Sequence, residues 1–258
     1  MKPTSFFAVD IRNDGVNKMG KHILITGATG EIGTAIAKLL ASKGYSLYLH
    51  YNQNEEAIRK LLEEIAPFGQ DYIAIKADLS KRDGYKQVIN SIFSLDGIVY
   101  ASGVSVYGML ADTTDEIMDQ LWNLHVASLI SVTRELLPKM TQKQAGNIVA
   151  ISSIWGQIGA SMEVAYSTVK GAQLSFVKAL SKEVARNGIR VNAVAPGAID
   201  TKMLGMFTAE EKEWMAEEIP MGRLGKAEEV AQSVLFLLSG DSSYLTGQVL
   251  SPNGGWHV

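Results

Sequence analysis

The sequence contains no cysteine, and this absence excludes several kinds of chemistry. Disulfide bonds, thiol nucleophiles and thiolate-bound metal clusters all require cysteine side chains. The sequence also lacks any apolar run of the ~18 residues that a membrane-spanning helix needs, so no membrane partner is expected. Metal ligands are sparse too, because the four histidines are scattered without the close spacing of a zinc site, and no metal is expected. These histidines are His22, His50, His125 and His257.

A strong excess of charge is absent as well. The formal net charge is −3 over 258 residues, so no basic surface of the kind that binds nucleic acid is expected. The first residues carry Asp10 and Asp14 and no long apolar run, which is unlike a signal peptide. We therefore predict a cytoplasmic protein with an N-terminal extension over residues 1–19 and one domain over residues 20–258.

From residue 22 onward, short apolar segments alternate with segments of helical periodicity. This alternation predicts an α/β protein, a single-domain Rossmann-like doubly wound parallel sheet of about seven strands flanked by helices. Ligands bind beyond the carboxyl ends of the strands in such sheets. The strands are predicted at 22–26, 45–51, 72–77, 97–101, 147–151, 189–195 and 247–252. Helices are predicted from about residue 35 and at 55–68, 84–93, 115–140, 166–186 and 228–238.

A glycine-rich turn from Gly27 to Gly33 follows the first predicted strand and precedes a helix. Free backbone amides and the positive end of the helix dipole favour an anion such as phosphate at this place. The spacing differs from the G-x-G-x-x-G fingerprint of dinucleotide-binding proteins. A tight connection without any ligand therefore remains an equal alternative.

The pattern most specific for chemistry is Tyr166-Ser167-Thr168-Val169-Lys170, with Ser153 thirteen residues before the tyrosine at the end of an apolar segment. Tyrosine and lysine four residues apart lie on one face of a helix. A nearby ammonium favours the charged phenolate and lowers the pKa of the phenol, so the pair can protonate a developing alkoxide. The Ser153 hydroxyl can hold the same oxygen. Together they predict general-acid catalysis.

A polar, methionine-rich stretch from Thr201 to Ile219 follows the sixth predicted strand. Because ligands bind beyond strand ends, this stretch is placed where a lid over the site would lie. A surface helix docked by its apolar side explains the same pattern equally well.

Taken together, these motifs resemble the short-chain dehydrogenase/reductase family from about residue 20 to the C-terminus. The resemblance implies that Tyr166 is the catalytic acid/base and that Ser153 orients the carbonyl. It implies that Lys170 lowers the pKa of the tyrosine and binds the nicotinamide ribose, and that the protein is a homotetramer. The resemblance also rests on Asp78-Leu79, on Val191-Asn192-x-Val194-x-Pro196-Gly197 and on Thr246-Gly247.

The cofactor that the resemblance implies is a nicotinamide dinucleotide. NAD-binding folds usually place an acid after the second strand to bind the ribose hydroxyls. The segment His50-Tyr51-Asn52-Gln53 has no carboxylate, which favours NADPH, although it has no arginine for the 2′-phosphate. By the resemblance, Asp78 and Leu79 would bind the adenine, and the nicotinamide end would be held by Pro196, Gly197, Ile199 and Thr201. The residues implied in cofactor binding are Gly27, Thr29, Gly30, Ile32, Gly33, Tyr51, Asn52, Asp78, Leu79, Ala101, Ser102, Gly103, Tyr166, Lys170, Pro196, Gly197, Ile199 and Thr201.

Three positions depart from the family pattern. Glu31 stands where the glycine turn of the family has glycine, and Tyr100-Ala101-Ser102-Gly103 replaces Asn-Asn-Ala-Gly. His125 aligns with an asparagine that is the fourth catalytic residue of the family, and it is therefore a candidate catalytic residue. A histidine there either positions a water for proton relay or only fills the space.

Two substrates are implied by narrower resemblances. The run Pro220–Gly225 resembles the 3-oxoacyl-(acyl-carrier-protein) reductase branch, an activity of fatty acid biosynthesis. The three departures from the family pattern, together with segments 50–55 and 153–161, resemble a narrower subgroup of the family in Gram-positive bacteria. That subgroup is the reductase that acts on the 5-aminopentanone modification of elongation factor P. The carbonyl substrate is then carried on acyl carrier protein or on elongation factor P. A catalytically silent dinucleotide-binding protein is the non-enzymatic alternative.

The residues expected to contact the substrate are Ser153, Trp155 and Glu163, which lie in or beside the segment between Ser153 and Tyr166. A carboxylate at position 163 favours an amine-bearing substrate and disfavours an anionic one. A solvated loop position for Glu163 remains an equal alternative.

Overall fold

The computed structural model describes residues 20–205 and 207–258, so the predicted extension at residues 1–19 lies outside the described residues. Within this part of the chain, seven parallel strands form one sheet in the order β3-β2-β1-β4-β5-β6-β7. The order reverses between β1 and β4, which is where doubly wound sheets bind ligands. The strands are β1 (His22–Thr26), β2 (Ser46–Tyr51), β3 (Tyr72–Lys76), β4 (Gly97–Tyr100), β5 (Gly146–Ile151), β6 (Ile189–Val194) and β7 (Val249–Leu250). The predicted α/β fold is confirmed.

Helices cover both faces of the sheet. None of the described helices combines the length and the apolar character needed to cross a membrane. The longer helices are α1 (Glu31–Ser42), α2 (Glu55–Ile65), α4 (Asp115–Trp122), α5 (Ser128–Lys143), α7 (Val164–Val184), α8 (Ala209–Glu218) and α9 (Ala227–Leu238). Shorter helices are α3 (Tyr85–Asn90) and α6 (Trp155–Ile158).

The core consists of two apolar layers, one on each face of the sheet. Successive residues of a strand point to opposite faces, and in β1 Ile23 and Ile25 join one layer while Leu24 joins the other. Helices α1, α2 and α9 complete the first layer, and α3, α5 and α7 complete the second. Burial of each large aliphatic side chain contributes about 1.5–3 kcal/mol, so both layers stabilise the sheet that positions the strand ends.

Two elements differ from their predicted form. The long helix predicted at 115–140 is divided by a π-helical turn, Asn123–Ala127, between α4 and α5. One extra residue in a turn barely changes the apolar periodicity, so the sequence pattern does not reveal it. The last strand is Val249–Leu250 rather than residues 247–252. Gly247 has a φ of +72°, and Pro252 has no backbone N–H to continue the ladder.

The glycine turn packs closely against its surroundings. Gly27 has a φ of +68°, and a Cβ at this residue would lie 2.9 Å from the carbonyl oxygen of Ala101. A Cβ on Gly33 would lie 2.2 Å from the carbonyl oxygen of Gly27. Glycine is therefore required at both positions, and the turn is held against the end of β4 and the start of α1.

Candidate active site

A cavity of about 460 Å³ lies beyond the carboxyl ends of β4, β5 and β6. It brings together Ser153, Tyr166 and Lys170, the three residues on which the predicted chemistry depends. Trp155 and Glu163, predicted to contact the substrate, line the same cavity. The structure therefore places all of these side chains around one cavity.

Helix α7 presents Tyr166 and Lys170 on one face, as their spacing predicts. Both side chains are buried, and the Lys170 Nζ lies 5.5 Å from the centroid of the Tyr166 ring. The ammonium donates a hydrogen bond to the carbonyl oxygen of Ile151, at the end of β5, over 2.8 Å. The strand end thus holds the lysine beside the phenol.

Burial dominates the electrostatics of this pair. Burial raises the pKa of Tyr166, the negative charge of Glu163 raises it further, and a hydrogen bond with Ser153 lowers it. Burial also lowers the pKa of Lys170 to about 7. The sequence predicts a lowered pKa for Tyr166, and the structure gives a raised one. Desolvation of the phenolate outweighs the effect of the Lys170 ammonium, which is itself desolvated. Lys170 therefore changes charge near neutral pH.

Ser153 lies just beyond β5 and meets both Tyr166 and the start of α6. Its hydroxyl oxygen accepts a hydrogen bond from the Trp155 backbone N–H over 3.2 Å. The same hydroxyl stabilises the phenolate form of Tyr166 through a hydrogen bond. The hydroxyl groups of Ser153 and Tyr166 are thus close enough to bind a single carbonyl oxygen between them.

His125 comes from the π-turn and lies against Tyr166. The two rings pack edge to face with their centroids 5.7 Å apart. Its Nε2 lies 2.9 Å from the carbonyl oxygen of Val104, and its Nδ1 is buried without a hydrogen-bond partner in the described part of the chain. Burial, then the charge of Lys170, lowers the pKa of His125 to about 3, so the ring is neutral. A proton relay through this ring stays a prediction.

A second buried histidine, His50, supports the glycine turn. Its Nδ1 accepts a hydrogen bond from the Gly27 N–H over 3.1 Å, and its Nε2 donates one to the carbonyl oxygen of Ala77 over 3.0 Å. These two partners determine a single neutral tautomer. Burial lowers the pKa of His50 to about 4. No sequence motif predicts this role, although a polar residue inside an apolar strand indicates a required hydrogen bond.

The predicted anion-binding residues Gly27, Thr29, Gly30 and Gly33 lie between β1 and the first turn of α1, outside the cavity lining. Ile32, in the same helical turn, does line the cavity. A dinucleotide would therefore pass from the glycine turn into the cavity by way of Ile32.

Glu31, one of the departures from the family pattern, connects the glycine turn to the segment after β6. Its carboxylate accepts a hydrogen bond from the Lys202 backbone N–H over 2.5 Å. Glu31 is the first residue of α1, where a carboxylate interacts favourably with the helix dipole. The carboxylate thus joins the first turn of α1 to the segment after β6.

Residues of the predicted cofactor site follow two strand ends. Pro196, Gly197, Ile199 and Thr201 follow β6 and line the cavity. Ala101 and Gly103 follow β4 and line it from the other side. Ser102 is buried between them, and the backbone amides of Ala101 and Ser102 donate to the Thr26 hydroxyl over 3.1 and 3.2 Å.

The residues predicted at the adenine end do not share one environment. The Asp78 carboxylate accepts hydrogen bonds from the Ser80 amide and hydroxyl over 3.0 and 2.6 Å. Leu79 is buried in the core, so its side chain does not face a ligand. Asn52 is exposed at the end of β2.

A cation also lies at the adenine end, although the segment after β2 contains no arginine or lysine. Tyr51 pairs in register with Lys76, and the Lys76 ammonium lies 2.5 Å from the Glu55 carboxylate. Lys76 belongs to a different strand from Tyr51, so no local motif indicates their proximity. The pairing of β2 with β3 brings this ion pair to the end of β2.

The stretch from Thr201 to Ile219 covers the cavity, which favours the lid interpretation over a simple surface helix. Met203, Leu204, Phe207, Met215 and Glu218 line the cavity from this stretch. The Phe207 ring packs edge to face with that of Tyr107, centroids 5.9 Å apart, across the cavity mouth. Met206, part of the predicted stretch, lies outside the described residues.

An aromatic pair forms one wall of the cavity. The rings of Trp155 and Trp256 pack at 63° with their centroids 5.1 Å apart. Trp256 is near the C-terminus and was not among the predicted site residues. A side chain about one hundred residues from its partner carries no local signal, so sequence patterns do not identify it.

Glu163 is a half-buried member of the cavity lining. Its carboxylate accepts a hydrogen bond from the Ser105 hydroxyl over 2.9 Å, and burial raises the pKa of Glu163. Glu218 adds a second carboxylate from α8. The structure thus favours the site role of Glu163 over a solvated loop position.

Comparison with known proteins agrees with this geometry. A family model described as enoyl-(acyl carrier protein) reductase matches residues 27–257. An uncharacterized oxidoreductase of Bacillus subtilis, YmfI, is 52% identical over 93% of this chain and 100% of its own length. The 3-oxoacyl-[acyl-carrier-protein] reductase FabG of Staphylococcus aureus is 32% identical over 93% of this chain and 100% of its own. The crystal structure of YwfH, an NADPH-dependent reductase involved in bacilysin biosynthesis, matches with a TM-score of 0.87 and 25% identity. That match covers 92% of this chain and 98% of YwfH.

Proposed function

The chain belongs to the short-chain dehydrogenase/reductase family and is an oxidoreductase, and we propose that it uses NADPH to reduce a ketone, with Tyr166 as the proton donor. The observation that supports this most is the meeting of Ser153, Tyr166 and Lys170 in one cavity. Residues after β4 and β6, which are implied in cofactor binding, line the same cavity. A silent dinucleotide-binding protein has no need of this combination.

When bound, NADPH supplies a hydride to the carbonyl carbon. The residues of the chain handle the oxygen. Ser153 donates a hydrogen bond to the carbonyl oxygen, and Tyr166 Oη transfers its proton to the alkoxide as negative charge develops there. The Lys170 ammonium stabilises the phenolate that remains. Because the tyrosine and lysine are buried, these interactions are stronger than they would be in water.

The cofactor assignment is supported from both ends of the predicted binding region. The glycine turn leads into the N-terminal end of α1, whose free amides and dipole favour an anion, and only glycine fits at Gly27 and Gly33. Lys76, in an ion pair with Glu55, supplies a cation near the end of β2, where NAD-binding folds usually carry an acid for the ribose hydroxyls. The structural neighbour YwfH is itself an NADPH-dependent reductase.

Two substrates remain candidates within this proposal. A 3-oxoacyl group on acyl carrier protein is supported by relatives such as FabG, which are named for that activity. An amine-bearing ketone, as in the 5-aminopentanone modification of elongation factor P, is supported by the charges in the cavity. Among the described residues, the carboxylates lining it are Glu163 and Glu218, and the lysine lining it is the buried Lys170. Trp155 and Trp256 add aromatic faces, which attract ammonium groups.

The test is an NADPH-oxidation assay with three classes of carbonyl: a 3-oxoacyl thioester of acyl carrier protein, a ketone bearing a trimethylammonium group, and its neutral isostere. We expect turnover of at least one class. The Tyr166→Phe variant should lose more than about tenfold in kcat, or ~1.4 kcal/mol, while still binding NADPH. Equal kcat in wild type and variant would contradict the role of Tyr166.

Glu163→Gln separates the two substrates. If this carboxylate binds the amine, KM for the cationic ketone rises several-fold and KM for the neutral isostere is unchanged. Glu183→Gln, at an exposed position of α7, is the matched control. Equal effects of Glu163→Gln on both ketones, or no effect on either, would remove Glu163 from substrate recognition.

A further inference from the structure

Gln173 is a fully buried amide in helix α7, and neither the motifs nor the resemblance indicates a role for it. It lies three residues after Lys170 and seven after Tyr166, so the three side chains share one face of the helix. Its Oε1 accepts a hydrogen bond from the Lys170 Nζ over 3.3 Å. Its Nε2 donates one to the backbone carbonyl oxygen of His125 over 2.8 Å.

The two partners determine which way the amide points. An ammonium can only donate hydrogen bonds, so it must face Oε1 of Gln173. A carbonyl oxygen can only accept them, so it must face Nε2. Turning the amide over would break both bonds and leave buried polar groups unpaired, which is costly. Gln173 is therefore held in one orientation between Lys170 and His125.

We propose that Gln173 is a positioning residue for the reduction, holding the Lys170 ammonium beside Tyr166 by joining it to the main chain of the π-turn. This proposal rests on the proposed function, in which the ammonium stabilises the phenolate. It assigns the contribution of position 125 to its backbone carbonyl rather than to its imidazole ring. None of the described hydrogen bonds joins that ring to Lys170 or Tyr166.

The charge state of Lys170 depends on few surrounding groups. Tyr166 faces it from the same helix and His125 from the π-turn, while Glu163 and Glu218 line the same cavity. Its described hydrogen-bond acceptors are the carbonyl of Ile151 and the amide of Gln173. Hydrogen bonds to a charged group favour its charged form. Without the Gln173 oxygen, Lys170 would lose its proton at a lower pH.

Gln173→Met removes both hydrogen bonds while keeping a side chain of similar length. We expect kcat of the wild type to fall as the pH rises past the value at which Lys170 loses its proton. In the variant this fall should begin about one pH unit lower, as expected for loss of a hydrogen bond to a charged group. The loss of kcat should therefore be larger at pH 8 than at pH 6, with KM for the carbonyl unchanged.

Two further variants separate positioning from a general loss of structure. Ser181→Ala removes another buried polar group from α7 and should leave the pH dependence of kcat unchanged. Gln173→Glu keeps an oxygen for Lys170 but loses the donor to the His125 carbonyl. The fall in kcat of this variant should therefore begin at the same pH as in the wild type or at a higher one. A shift to lower pH in all three variants would overturn the proposal.

A direct titration of Lys170 does not depend on turnover. In protein labelled with ¹³C at the lysine Cε, the Lys170 signal is the one missing from Lys170→Arg. We expect its midpoint near pH 7 in the wild type and about one unit lower in Gln173→Met. An unchanged midpoint would overturn the proposal. If the midpoint is lower in Gln173→Met as expected, but the wild-type protein reduces no ketone, the proposed function is rejected instead.

Discussion

At the scale of single residues, the site is built from polar groups that are out of contact with water. Lys170, His50, His125 and Gln173 are all buried, and each makes hydrogen bonds to the backbone or to another buried side chain. Desolvation favours the neutral form of each titratable group. The proton passing from Tyr166 to an alkoxide therefore moves in an environment that penalises separated charge, which makes the nearby ammonium effective.

The stability of the protein at acidic pH should depend on His50. The pKa of this histidine is about 4 in the folded protein, against 6.5 for an unperturbed one. Between these values the unfolded chain binds a proton that the folded protein does not, so the free energy of unfolding falls as the pH is lowered. His50 contributes a slope of up to ~1.4 kcal/mol per pH unit, and His125, whose pKa is also lowered by burial, contributes a similar one.

The measurement is urea denaturation at pH 7, 5.5 and 4.5. His50→Gln should lower stability at pH 7 and show a weaker pH dependence than the wild type below pH 6.5. His257→Gln, near the end of the chain, is the control and should keep the wild-type slope. A slope in His50→Gln equal to that of the wild type would contradict the buried, neutral state of His50.

At the scale of elements, the cofactor region is formed by neighbouring strand ends. The parallel pairing of β2 with β3 puts Lys76 opposite Tyr51, and Glu31 on α1 reaches the lid at Lys202. Parallel strands that are neighbours in a sheet end at the same edge. Residues far apart in sequence therefore supply the charges that a dinucleotide would meet.

Cofactor choice should depend on Lys76. Lys76→Gln removes a positive charge beside the predicted 2′-phosphate site, so kcat/KM for NADPH should fall several-fold while the value for NADH stays the same. Lys60→Gln, on the exposed face of α2, is the matched control. Initial rates with each cofactor give the ratio of kcat/KM for NADPH to kcat/KM for NADH. Equal losses of kcat/KM for both cofactors would exclude a role of Lys76 in phosphate binding.

At the scale of the whole molecule, the described surface exposes apolar side chains on α4, α5 and α7. Met118, Trp122, Ile130 and Val164 are 40–50% exposed. Large exposed apolar side chains on neighbouring helices are typical of contacts between protein chains. This surface is consistent with the predicted homotetramer, which remains a prediction.

Light scattering at micromolar concentration should give the mass of four chains. Trp122→Glu places a charge among these apolar side chains and should lower the mass, because burying an unpaired carboxylate is costly. Phe93→Glu, at an exposed position after α3, should leave the mass unchanged. A monomeric wild-type protein would reject the tetramer.

The sequence by itself determined the alternation of strands and helices and the proximity of Tyr166 and Lys170, on which the proposed chemistry depends. Buried parallel strands need apolar runs, and these runs locate β1 to β6 to within about a residue or two at their ends. Tyr166 and Lys170 are four residues apart on a helix, so their proximity follows from helical geometry alone. Gln173 lies on the same face of the helix, so its place beside Lys170 follows from the same geometry, although its role does not.

Only the tertiary structure decided the contacts between distant segments. Lys76 beside Tyr51, Trp256 against Trp155 and Gln173 on the His125 carbonyl all join residues whose separation in sequence carries no local pattern. It also decided the direction of the Tyr166 pKa, because that direction depends on how much water burial removes from the phenolate. Spacing along the chain specifies which groups can meet on one element, whereas packing specifies their neighbours and their solvation.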